Sequence, residues 1–146
     1  MTEKKENVGV RRSKDHAELM EQLVGSASNK HQEAAFKFNY DVLVFAASIG
    51  FKENKRVAIE KYASDPIPYT TMKSNECFET LLSAIAVLTF EGDHTCLSDD
   101  RLLERIRVFE EYANGGLGYI KEQLPGHHNS PRLLVEAMCA TEIARL

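Results

Sequence analysis

The chain predicts a mainly α protein: a single compact bundle of five or six helices, with at most one or two very short strands. Three observations carry this. Apolar residues recur at helical spacing over long stretches, most plainly across 34–49, 74–90 and 98–112. Glycine and proline clusters punctuate those stretches, and only Val8–Arg12 alternates as a strand would. A length of 146 residues with 43% hydrophobic and 27% charged side chains suits one globular domain, which sets aside collagen, low-complexity disorder and a two-domain enzyme.

Residues 1–7 have no apolar side chain beyond the initiator and are expected to form a flexible N-terminal tail, leaving 8–146 as one helical domain. Val8 and Val10 fall on one side of a short strand. Ser13–Lys14–Asp15 offers an N-cap for a helix carrying Ala17, Met20, Leu23 and Val24, with Gly25 as its stop. Ser26–Glu33 is a polar connector. The next helix, about Ala34–Ile49, is apolar around most of its circumference and is expected to end at Gly50. Pro66 and Pro68 force an extended surface connector over Ser64–Tyr69. About Ser74–Phe90 is the most apolar helix and the expected centre of the core. Ser98 caps the fourth, with Asp99 and Asp100 placed where the helix dipole favours anions. Asn114–Gly115–Gly116 is expected to break or kink it before Leu117, Ile120 and Leu124 resume. Ser130–Pro131 then opens a final helix.

Three cysteines, Cys77, Cys96 and Cys139, are an odd number at wide spacing and predict reduced thiols, those of Cys77 and Cys139 acting as small hydrophobes in apolar helices. The charged start lacks the apolar segment of a secretion signal, and Leu81–Phe90 is about half the roughly 20 residues a membrane span needs. A soluble cytoplasmic protein with no membrane partner is expected.

No Walker loop, G-x-S-x-G or H-E-x-x-H occurs, so phosphate cradling, serine hydrolysis and zinc-peptidase chemistry lack their usual carriers. No catalytic residue, cofactor or metal is assigned. Asp93, His94 and Cys96 share one loop, but without zinc-ligand spacing. Asp99–Asp100 and Glu110–Glu111 are adjacent pairs that read as dipole complement and solvated face. A nuclease site assembled from Asp93, His94, Asp99 and Asp100 around a divalent ion is the minor alternative.

The formal charge of −4 argues against a protein that coats nucleic acid, yet it is unevenly spread. Residues 1–61 hold 11 basic and 9 acidic side chains, net +2, and residues 62–146 hold 7 and 13, net −6. Any DNA-binding set therefore belongs to the first half: Arg11, Arg12 and Lys14, with Lys52, Lys55 and Arg56. A basic strand followed by two helices is the order of a ribbon-helix-helix DNA reader, which needs a dimer. Ordinary solvated surface charges are the plainer alternative, and the residues alone leave both open.

The stretch Val10–Leu19, followed by Asp41–Phe51, Arg56–Val57 and Pro66–Pro68, resembles the DNA phosphorothioation-associated protein 4 family. The resemblance is clear over the first half. It rests on the order and spacing of apolar residues and brings no catalytic residue with it. It implies an accessory protein of dnd DNA sulfur-modification and restriction systems, serving antiviral defence. DNA, through the N-terminal half, and protein subunits of the dnd restriction complex are the implied partners, with a homo-oligomer open.

Overall fold

A computed structural model describes residues 8–25 and 35–145. The expected tail, 1–7, and the connector 26–33 lie outside the described residues. The chain opens with β1 (Gly9–Val10), which pairs antiparallel with β2 (Ile67–Pro68), Gly9 opposite Pro68 and Val10 opposite Ile67. The supposed surface connector around Pro66–Pro68 is thus partly a strand, and buried Ile67 is its inward residue. Pairing within the chain also removes the two-chain ribbon that a ribbon-helix-helix dimer requires.

Ser13 turns the chain, its Oγ accepting the Asp15 N–H at 3.1 Å, and a 3₁₀ turn (Lys14–His16) runs into α1 (Ala17–Val24). Gly25 stops α1 in the left-handed region at φ 82°. Five more helices follow: α2 (Asn39–Lys52), α3 (Tyr69–Met72), α4 (Phe78–Thr89), α5 (Leu102–Gln123) and α6 (Pro131–Arg145). Short 3₁₀ turns at 94–97, 99–101 and 124–127 join the later ones. As expected, Ser130 caps α6, its Oγ accepting the Leu133 N–H at 3.3 Å.

Two expectations fail at the centre of the bundle. First, Asn114–Gly116 does not interrupt the fourth predicted helix: α5 is continuous over 22 residues. A Cβ added at Gly115 would lie 1.8 Å from the Lys55 carbonyl oxygen, one at Gly116 1.8 Å from that of Ala46, and one at Gly50 2.0 Å from that of Tyr112. The glycines allow the backbones of α2 and α5 to touch, and this contact outweighs the roughly 1 kcal/mol that each helical glycine costs against alanine. For the same reason Gly50 does not end α2, which continues to Lys52.

Second, the central helix is α5 and not the more apolar 74–90 stretch. From Val108 to Leu117 every α5 residue except Glu111 is buried. In contrast, α4 buries Phe78, Leu82, Ile85 and Ala86 and leaves Leu88 62% exposed. An edge-to-face series, Tyr69–Phe78 at 5.4 Å and Phe78–Phe109 at 5.3 Å, ties α3 and α4 to α5. The cysteines are also redistributed. Cys77 and Cys139 are exposed, whereas loop residue Cys96 is buried.

Candidate functional site

Two cation-bearing segments that lie about 40 residues apart in sequence meet on one face. The strand after β1 runs beside the return segment 57–63: Ser13 bridges Tyr62, the Lys14 N–H donates to the Lys61 carbonyl at 2.8 Å, and the Ala63 N–H to that of Arg12 at 2.9 Å. Both rest on α5. The Val57 N–H donates to the Glu111 carbonyl at 3.1 Å, and the buried Asn114 side chain donates to the carbonyls of Val57 and Ala58 at 3.1 and 3.3 Å. One helix thus backs both segments: Arg11–Lys14 lies beside 61–63, and Arg11 and Arg56 meet adjacent residues of α5, Glu110 and Glu111.

These cations differ in what they face. Arg11 is committed to Glu110 of α5, which accepts its backbone N–H at 2.6 Å, its Nε at 3.1 and 3.2 Å, and its Nη2 at 2.9 Å. The hydrogen bond to Glu110 raises the Arg11 pKa above its ordinary value, with burial opposing it, and the guanidinium lies 4.1 Å from the Tyr62 ring centroid. Arg56 donates to Glu111 at 2.6 Å, and Lys52 lies 3.6 Å from Glu53. Arg12, Lys14 and Lys55 have no side-chain hydrogen bond or ion pair among the described residues, and Lys14 and Lys55 are exposed.

Glu110–Glu111 is thus not a solvated pair. Glu110 is buried at 2% exposure, and Glu111 holds Arg56. Two members of this face escaped the sequence reading, Lys61 and the exposed Arg107 of α5. Lys61 was legible only as the far end of the segment that opens with Lys55–Arg56. Arg107 had no local signal, since tertiary packing alone sets it beside Tyr62 and Ile59 in a shallow cleft of about 70 Å³.

The acidic loop is built differently from a metal site. Asp93 caps the turn by accepting the Thr95 N–H at 3.0 Å, and its bonds from Thr95 hold its pKa below the ordinary carboxylate value. Among the described residues no three His, Cys, Asp or Glu side chains come together as a metal-holding group. Buried Arg105 fixes the loop from beneath, its Nη1 donating to the carbonyls of Cys96 at 2.6 Å and Ser98 at 2.7 Å. A larger cavity of about 300 Å³, lined by Asp15, Glu18, Gln22 and Lys121, opens between α1 and the end of α5.

Fold and site together define a small helical bundle in which one helix backs two chain-distant, cation-bearing segments, some cations paired to α5 carboxylates and others turned to solvent. The chain belongs to the family described as DNA sulphur modification system-associated protein 4, whose model matches residues 9–145, nearly the whole chain. Membership associates it with DNA sulphur modification systems, in an accessory role. No curated protein and no solved structure matches the chain. Among the described residues no helix is long and apolar enough to cross a membrane.

Proposed function

We propose that this is a non-catalytic accessory protein of a phosphorothioate-dependent restriction system, acting in the cytoplasm in defence against foreign DNA. It works by binding DNA, the system's protein subunits, or both. The observation that supports a DNA contact is that α5 backs both cation-bearing segments, with Arg12, Lys14 and Lys55 left available to phosphate. Lys52 and Arg56 flank that set beside Glu53 and Glu111, and Arg11 supports it from within by holding the strand to α5.

Fluorescence anisotropy on a labelled duplex tests this reading. Three phosphate contacts predict that affinity falls about 40-fold between 50 and 200 mM salt, from a slope of roughly 0.9 per contact. The triple variant Arg12→Ala, Lys14→Ala, Lys55→Ala should lose most of that dependence. Arg11 is left intact because its removal acts on the fold. Absence of binding at 50 mM salt, or a triple variant that binds as the wild type does, excludes the DNA contact.

A further inference from the structure

Three of the large apolar side chains left in solvent, Leu88 (62% exposed), Leu97 (41%) and Leu103 (54%), fall within 88–104, where α4 passes through two 3₁₀ turns into α5. The turn 94–97 packs against both helices, so the segments that carry the three leucines meet at one corner. That corner is rigid. Arg105 pins the turn from below, and Arg101 reaches Glu104 at 2.9 Å, the Thr95 hydroxyl at 3.0 Å and Asp93 at 3.4 Å. It is also acidic: Glu91, Asp93, Asp99, Asp100 and Glu104 stand against Arg101 and the buried Arg105, a net −3.

One helical turn beyond Leu103, exposed Arg107 continues the same stripe of α5 and borders Ile59 and Tyr62. Here the sign reverses. Exposed Val57 and Tyr62 are set among Arg12, Lys14, Lys55, Arg56 and Lys61, which outnumber the neighbouring carboxylates Glu60 and Glu111. The stripe therefore runs from leucines among carboxylates, through Arg107, to Val57 and Tyr62 among cations.

We infer that a second copy of this chain covers the stripe, as an isologous dimer in which the acidic, leucine-bearing end of each protomer lies on the basic end of the other. A two-fold axis near Glu104–Arg107 reverses the order of the stripe, so that each charged end meets its opposite and each apolar group meets another. A foreign basic protein complements only the acidic corner, whereas a second copy complements both ends. Because the corner is already fixed by Arg101 and Arg105, docking forfeits little conformational freedom there. The dimer draws on Arg12, Lys14 and Lys55, the cations that would otherwise meet phosphate, so dimer and DNA contact exclude one another; the test contains no nucleic acid and reads association alone.

Sedimentation velocity on the full chain from 1 to 100 μM tests it. A dimer is expected in 50 mM salt, with its Kd rising at least ten-fold in 500 mM salt. Arg107→Glu should raise the Kd at least ten-fold, because it sets a like charge against the acidic end of the other copy near the axis. Leu103→Ser should weaken the dimer with an unchanged melting curve, which separates association from folding. A monomer at 100 μM in 50 mM salt overturns the inference, whether or not that monomer binds a basic protein. So does a dimer indifferent to both Arg107→Glu and Leu103→Ser.

Discussion

Removing Arg11 should damage the fold more than neutralising its partner does. Arg11→Ala leaves the Glu110 carboxylate, 2% exposed, inside the bundle without its countercharge. Breaking a buried pair from one side costs about 3–5 kcal/mol. Glu110→Gln keeps an oxygen for the Arg11 backbone N–H and leaves a guanidinium whose side chain is 28% exposed and able to reach water. Its cost is therefore that of weakened charged hydrogen bonds, about 1.5–3 kcal/mol. For a chain of this size each kcal/mol moves the melting point by roughly 2–4 °C, so Arg11→Ala should lower Tm by about 6–20 °C and Glu110→Gln by about 3–12 °C. Urea denaturation followed by circular dichroism gives the free energies directly. The paired replacement Arg11→Met with Glu110→Leu should recover at least half of the loss, since an apolar pair needs no compensation for a buried charge. The reasoning fails if Arg11→Ala lies within about 1 kcal/mol of the wild type, or if Glu110→Gln is the costlier change.

Two further perturbations probe the helix contact and the first turn. Gly116→Ala should destabilise by about 1–3 kcal/mol or more, because its Cβ would meet the Ala46 carbonyl at 1.8 Å. Gly118→Ala, two residues on in the same helix with nothing within 4 Å of its Cβ, should instead stabilise by roughly 0.5–1 kcal/mol; paired thermal melts compare them, and equal shifts would deny the close approach. His16 has its pKa lowered from 6.5, by burial first and then by Lys121, and its Nδ1 is buried without a hydrogen-bond partner among the described residues. Below pH 6.5 the unfolded chain binds the proton that the folded chain resists, so stability should fall as pH drops through 6.5 toward the depressed folded value. His16→Gln should flatten that part of the pH–stability curve, and an unaltered slope would assign it to other groups.

Local signals were legible wherever the physics is local. Ser13, Gly25 and Ser130–Pro131 mark helix ends because a cap or a left-handed residue acts within a few positions of itself. Gly115–Gly116 misled because the surface that uses the pair, Ala46 to Lys55, lies 60 to 70 residues away. The same distance problem hid the central helix. The polar residues of α5 looked solvated, yet Glu110 and Asn114 are buried by partners 99 and 57 positions off. At the candidate site the residue types pointed to cations in the N-terminal half. Which of them were already spoken for by Glu110 and Glu111 depended on tertiary pairing that no spacing rule encodes.

The bond between Arg11 and Glu110 spans 99 residues, so the beginning of the chain cannot settle until α5 exists. At a ribosomal rate of about 5–20 residues per second, the first strand waits on the order of 5–20 s for its acceptor to be made. Its neighbour β2 appears earlier, but a two-residue ladder alone is too short to hold. For a helical protein this topology is unusually non-local, and it delays closure of the bundle to the last third of synthesis. A nascent chain halted before residue 110 should therefore remain open to proteases at its N-terminus, however well α1 and α2 have formed.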